Sequence, residues 1–315
     1  MLHGTYNVRE LLGRYMERLK GRKKYWIVAI LLLAASFFWN IYWNNTITVH
    51  TYIHTNENLP EVFSGFRIVQ LTDIHSVRNE KQGQLIYEKT AGQNPDIICI
   101  TGDLVDSKYY ADHGVQGEAL TISLLQRLVE LAPVYYVYGN HEMILLDDPQ
   151  RNAFKVALEE AGVNIINNEV ISVTTKSEEG KLYIVGIQDP STLYKDLRFN
   201  KFTTNGERME AMLDLVMEGI PEEDFVLMLS HRPEYLELYD QYEIDVCLSG
   251  HAHGGQFRIP FVGGVYAPGQ GFLPKYTVGV YETDDLALYV GTGIGNSVIP
   301  VRVFNPPEIL TIILE

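Results

Sequence analysis

The pattern of apolar and polar positions divides the chain into two unlike parts. Residues 25 to 43, YWIVAILLLAASFFWNIYW, run for nineteen positions without a charge, long enough to cross a bilayer as a helix. Residues 44 to 63 are polar and β-leaning (TITVHTYIHT), a short tether with a first strand. Five apolar runs of strand length follow, each ending in polar residues: FRIVQLT before Asp73, DIICIT before Gly102, VYYVY before Gly139, FVLMLS before His231 and IDVCLS before Gly250. Unbroken apolar runs of this length suit strands buried on both faces. Helical patterns lie between them, at 80–93, 115–131, 148–162 and 205–219. The third is punctuated by Asp148 as a cap, Pro149 at the first helical position and Gly162 past the end. The alternation predicts βαβ units in an α/β domain with one mainly parallel sheet, whose ligands bind at the carboxyl ends of the strands. Two hairpins are expected, 169–175 with 181–186 around SEEG and 276–282 with 286–291 around TDD, and 309–314 adds a last strand. No repeat or Pro/Gly-rich linker interrupts residues 64 to 315, which read as one domain.

Charge sharpens the first division. The chain of 315 residues carries a net −15, yet its first 43 residues hold seven Lys or Arg against two acids, leaving −20 on the remainder. So acidic a domain repels a phosphate backbone, so nucleic acid is not an expected partner. Arg18, Lys20, Arg22, Lys23 and Lys24 crowd the amino-terminal flank of the apolar run, while the next basic residue on the far side is Arg67. Tyr25, Trp26, Trp39, Tyr42 and Trp43 stand where interfacial aromatic belts lie. The expectation is a basic cytoplasmic segment (1–24), a single transmembrane anchor (25–43) and an extracytoplasmic domain beyond it. A cleaved signal peptide fits less well, because the end of the run lacks the small-residue cleavage pattern. A buried helix of a soluble protein leaves the basic flank and the paired aromatics unexplained. With 46% apolar residues the remainder has material for a full core. Cys99 and Cys247 each sit inside an apolar run, as packed free thiols do.

The polar residues at the strand ends are Asp73 and His75, Asp103 with Asp106, Asn140 with His141, His231, and His251 with His253. Imidazoles combined with carboxylate oxygens suit divalent first-row metals such as Mn, Fe, Zn, Co or Ni. Too many ligands are present for one ion, and they fit two divalent metal ions sharing a carboxylate, as in two-metal hydrolases. Asp73-Ile-His75 and His251-Ala-His253 alternate, so in an extended strand each pair points the same way and chelates one ion. Glycines 102, 139, 250, 254 and 255 permit tight turns beside these residues. His3, His50, His54 and His113 lack such a context and are expected to be solvated.

These motifs, DIH at 73–75, GDLVD at 102–106, GNHE at 139–142, SHRP at 230–233 and GHAHGGQ at 250–256, resemble those of the calcineurin-like metallophosphoesterases over residues 64 to 315. The resemblance implies a two-layer β-sandwich flanked by helices. It implies that Asp73, His75 and His253 bind one ion, that Asn140, His231 and His251 bind the other, and that Asp103 bridges. His141 is then the non-ligand histidine that touches the scissile phosphate, Asp106 the acid that orients it, and Asn140 serves both metal and catalysis. The tail YAPGQGFLPKY and GTGIGNSVIPVRVFNPPEI is similar to the bacterial membrane-associated branch, which contains phosphodiesterases and relatives of enzymes that cleave a lipid-linked sugar pyrophosphate. A membrane-anchored phosphodiesterase or pyrophosphatase acting on a lipid-linked phosphate is the function expected. A phosphomonoesterase or protein phosphatase and a noncatalytic metal-binding scaffold are the alternatives. Phe257, Phe261, Phe272 and Tyr276, with Arg258 and Lys275, either grip a lipid phosphate headgroup or pack a Gly- and Pro-rich loop.

Overall fold

A computed structural model describes residues 8–147, 151–174, 180–296 and 301–315. The chain forms two compact units divided after Trp43. In the first, one helix, α1 (Val8–Asn44), contains the apolar segment Tyr25–Asn44, the one helix among the described residues long and apolar enough to cross a membrane. Its apolar side chains are exposed, Trp26 at 69% and Leu33 at 71%.

In the second unit, two six-stranded sheets are built from β1 (Thr48–His54), β2 (Arg67–Leu71), β3 (Ile97–Thr101), β4 (Val134–Val137), β5 (Val163–Ile165), β6 (Glu169–Thr174), β7 (Lys181–Ile187), β8 (Val226–Ser230), β9 (Val246–Ser249), β10 (Gly279–Glu282), β11 (Ala287–Val290) and β12 (Glu308–Leu314). The first sheet has the order β1-β12-β2-β3-β4-β5 and the second β10-β11-β9-β8-β7-β6. The expectation of a single sheet is therefore corrected. Within each sheet the central pairings β2–β3–β4 and β7–β8–β9 are parallel, and antiparallel neighbours enter at β12–β2, β6–β7 and β10–β11. The sandwich implied by the family resemblance is the arrangement present.

The unbroken apolar runs follow from burial on both faces. In β3, Ile97 and Cys99 pack between the sheets while Ile98 and Ile100 pack outward. In β8, Leu227 and Leu229 face the inter-sheet core and Val226 and Met228 the outer layer. The outer faces are covered by α2 (Glu80–Ala91), α3 (Ser107–Gly117), α4 (Ala119–Leu128), α5 (Met143–Asp147), α6 (Arg151–Glu160) and α7 (Asn205–Met217). Cys99 and Cys247 are buried free thiols whose pKa values burial pushes up.

One expected helix is two. The 115–131 pattern resolves into α3 and α4, with Gly114 kinked out of helical geometry (φ 61°) and Glu118 turned inward, its carboxylate accepting from Ser76 Oγ at 2.6 Å and Thr121 Oγ1 at 2.7 Å. Asp148 and Pro149, the punctuation expected for α6, lie outside the described residues, as does most of the SEEG turn. Thr204 and Glu207 form a capping box at the start of α7.

Candidate metal centre

The parallel strands of both sheets end on the site. Asp73, Asp103 and Asn140 follow β2, β3 and β4, and His231 and His251 follow β8 and β9. Main-chain bonds tie these ends together: Asp73 N–H donates to Gly102 O at 3.1 Å, His75 N–H to Asp103 O at 3.0 Å, and His251 N–H to the Asp73 carboxylate at 3.0 Å. Gly102 has φ +91°, and a Cβ there would lie 2.7 Å from Gly139 Cα and collide with the His231 ring.

Two buried trios result, Asp73–His75–His253 and Asp103–His231–His251. In the first, His253 Nε2 lies 3.2 Å from Asp73 Oδ1 and 3.0 Å from His75 Nε2. In the second, His231 Nε2 lies 3.3 Å from Asp103 Oδ2 and 3.1 Å from His251 Nδ1. Asp103 Oδ2 also stands 3.9 Å from His75 Nε2 and 4.0 Å from His141 Nε2, so this carboxylate lies between the trios. Asp73 and His75 stand in the same trio, as alternation suggested, whereas His251 stands with His231 and not with His253. Neither pair lies in extended strand. Asp73, His75, Asp103, His251 and His253 all have φ between 46° and 63°, a left-handed conformation rare for such residues, whose clustering marks functional sites.

Burial lowers His75 to about 3 and holds His251 and His253 well below the usual imidazole value, so these imidazoles are neutral and each offers one unprotonated ring nitrogen. Burial raises Asp73 to about 6. Burial also works against the His231 imidazolium, but the nearby Asp103 carboxylate outweighs it and pushes His231 up to about 10. His231 Nδ1 donates to Thr101 O at 2.7 Å, which turns Nε2 towards Asp103. Asn140 Oδ1 is buried without a hydrogen-bond partner. Two carboxylates, an orphaned amide oxygen and four imidazoles fit hard-to-borderline divalent cations.

His141 lies at the rim, its side chain 18% exposed. Asp106 and His141 do not bond each other directly. Asp106 caps α3 by accepting from Tyr109 N–H at 2.8 Å and pairs with Arg78 at 3.4 Å, while His141 Nδ1 accepts from Ser107 N–H at 3.1 Å. Ser107, whose N–H His141 accepts, directly follows Asp106.

Sequence reasoning missed four supports. Glu142, the last letter of GNHE, accepts from the N–H groups of Asp103, Val105 and Gly139 at 3.0, 3.1 and 2.7 Å, and burial raises it to about 7. Arg232 grips Asp189 with two bonds of 2.6 and 3.2 Å beside His231. Burial opposes ionisation of Asp189, and the guanidinium overrides it, holding the carboxyl below its ordinary value. Arg302, 1% exposed, donates to Thr292 O at 2.6 Å and places Nη2 3.2 Å from His253 Nδ1. Arg302 carries no signal in the sequence beyond its place in the quoted tail.

The solvated reading of the remaining histidines is corrected for His54, which is half-buried and lies 3.2 Å from Tyr289 Oη. His50 is exposed and at the same time bonds the buried Glu308. His113 is exposed and stacks on Tyr109, and His3 lies outside the described residues. Of the loop aromatics, Tyr276 is buried and bonds Glu237 at 2.6 Å, Phe257 is half-buried, and Phe261 and Phe272 are exposed.

Residues 66–255 match the family model of the calcineurin-like phosphoesterases. The chain is 26% identical to the uncharacterized metallophosphoesterase YkuE of Bacillus subtilis, over 85% of this chain and 86% of that one. It is 26% identical to the phosphodiesterase YaeI of Escherichia coli, over 78% and 80%. It is also 27% identical to a transmembrane protein with metallophosphoesterase domain from Danio rerio, over 82% of this chain and 55% of that one.

Proposed function

The chain belongs to the calcineurin-like phosphoesterases and is a phosphoester hydrolase, and from that premise we propose that it is a membrane-anchored, two-metal phosphodiesterase or pyrophosphatase acting on a lipid-linked phosphate. The observation that carries the proposal is the pair of buried trios with Asp103 between them. In this reading Asp73, His75 and His253 hold one divalent cation, Asn140, His231 and His251 hold the other, and Asp103 bridges. When bound, such cations polarise phosphoryl oxygens and lower the pKa of the attacking water.

The chain's own residues do the remainder. His141 accepts at Nδ1 from Ser107 N–H, so its proton resides on Nε2, the atom 4.0 Å from Asp103. From there it donates to the leaving oxygen or to a phosphoryl oxygen. Asp106 fixes the turn that orients it. A groove of about 540 Å³ leads away from His75 and Asp106, with Arg78 and Lys81 on its polar wall and Ile47, Leu85 and Ile294 on its apolar wall. Cations beside an apolar wall suit an ester that is anionic at one end and greasy at the other. The apolar segment of α1 supports an anchor, and the name of the Escherichia coli relative supports diester cleavage. We place the amino terminus in the cytoplasm and the catalytic unit on the far side, on the strength of the basic flank.

The test is turnover by the detergent-solubilised chain, with Mn²⁺, of a chromogenic phosphodiester and a phosphomonoester in parallel. Preference for the diester is expected. Preference for the monoester overturns the diesterase assignment, and no turnover with metal bound makes the protein a scaffold.

A further inference from the structure

Beyond the last metal motif, the chain turns bulky apolar side chains outward. Ile259, Phe261 and Val262 lie on the hairpin of Arg258–Ile259 with Gly263–Gly264, and Phe272 and Leu273 at the end of the hairpin of Tyr266–Ala267 with Gly271–Phe272. Phe304 joins them from the carboxy-terminal segment. Main-chain bonds make these pieces one surface: Arg258 N–H donates to Val303 O, Val265 N–H to Phe257 O and Leu273 N–H to Val265 O, each at 2.9 Å. Phe261 is fully exposed, Phe272 81%, Leu273 67% and Phe304 55%.

The backbone holds them there against preference. Phe261, Leu273 and Phe304 have φ values of 68°, 52° and 51°, in a region that bulky residues rarely occupy. Strain of this kind persists where the surrounding structure imposes it, and it concentrates at functional surfaces. A contiguous exposed apolar patch marks an interaction site.

Two observations identify the occupant. Asn44, the residue at which the apolar span ends, donates from Nδ2 to Arg302 O at 2.8 Å, two residues before Phe304. A span leaves the hydrocarbon at the bilayer interface, so the patch begins where the chain itself meets lipid. The stretch itself carries no acid: between Asp245 and Glu282 there is no Asp or Glu, in a unit that otherwise carries a large negative charge. Glu237 reaches its edge and pairs with Lys275 at 3.0 Å, which leaves Arg258 as the cation on the stretch that can approach anionic headgroups.

We infer that this apolar surface docks the catalytic unit onto the bilayer, with Phe261 and Phe272 entering the interface; the inference rests on the membrane-anchored reading above. Such side chains settle about 5–10 Å into the boundary between headgroups and acyl chains. Arg258 Nη1 donates to Gly254 O at 3.0 Å, next to His253, so docking presents the metal centre to esters carried by lipid.

The experiment uses the full chain in liposomes, with an environment-sensitive fluorophore on Phe261→Cys or Phe272→Cys and, as reference, on Leu197→Cys, a position 84% exposed. Cys99 and Cys247 are buried and stay unlabelled. The expected result is a blue-shifted emission at 261 and 272 that is lost to nitroxides on the acyl chains and protected from aqueous iodide, with the reverse at 197. Emission at 261 and 272 that behaves as at 197 overturns the inference, as do disulfides between copies at 261 in place of lipid quenching, which assign the surface to a second copy. Alkaline carbonate extraction of the same vesicles separates the two readings. A retained chain with unquenched loops overturns docking alone. A released chain with quenched loops removes the anchor and leaves docking supported, and a released chain with unquenched loops removes both.

Discussion

His141 Nε2 lies 4.0 Å from the Asp103 carboxylate, and the proposed mechanism gives the two different duties, proton donation and metal binding. Replacing His141 with Ala removes a proton donor that touches no cation in the proposed mechanism. Its kcat is expected to fall by roughly 10²–10⁴-fold while metal content, read by elemental analysis of the purified protein, stays that of the wild type. Metal loss in this variant would move His141 into the ligand set. Glu142 is a different case, because its carboxylate is structural. It collects three main-chain N–H groups from the β3 and β4 turns, and each left unsatisfied costs roughly 1–3 kcal/mol. Glu142→Ala is expected to lower the urea midpoint accordingly, and an unchanged midpoint would show that water replaces the carboxylate. The residue types were legible because chelation needs imidazole and carboxylate behind a buried strand. Their grouping was not legible from spacing, although the family resemblance implied the two sets that the structure brings together. Spacing predicts a shared direction only for extended backbone, and positive φ at His251 and His253 sends neighbouring imidazoles to different trios. Asp106 shows the same limit, since no motif displays that the His141 ring bonds the main-chain N–H of Ser107 and not the Asp106 carboxylate.

At the scale of elements, five strands and most helices could be read from apolar runs, but their assembly into two sheets could not. A run such as VLMLS in β8 is apolar throughout because both faces are covered, and the same run would arise in either sheet. The edge strand β1 adds a second lesson. It pairs in parallel with β12, and its His50, which pattern alone leaves to solvent, bonds the Glu308 carboxylate at the start of that partner. That hydrogen bond, opposed by partial burial, raises the His50 pKa above 6.5. A raised imidazole pKa contributes stability in full below the unfolded value, and the contribution is lost as pH rises through the folded one. The gap in melting temperature between wild type and His50→Gln should therefore be widest below the ordinary imidazole value of 6.5 and close as pH rises through the raised folded-state value. A gap that does not change with pH would assign the effect to packing at the edge strand.

Of the chain's two units, the second has its own core, and the core residues described in it all lie after Trp43. Every residue of the two trios, and each support described around them, lies after Trp43. Residues 44–315 should therefore fold alone and hydrolyse a soluble chromogenic diester at the rate of the full chain. Under the proposed function the helix serves encounter. Holding the unit on the surface that bears its substrate converts a bimolecular search into a local one, and such tethering is worth on the order of 10²-fold or more. Removing residues 1–43 is expected to lower kcat/KM by that order on an ester dispersed in liposomes, leaving the soluble ester untouched. Docking through Phe261 and Phe272 would moderate the loss, because the truncated unit keeps that surface, and adding Phe261→Asp to the truncation should deepen it on the lipid substrate alone. Equal losses on both substrates would mean that the helix supports the fold and not the encounter, and no loss on either would separate catalysis from the bilayer altogether.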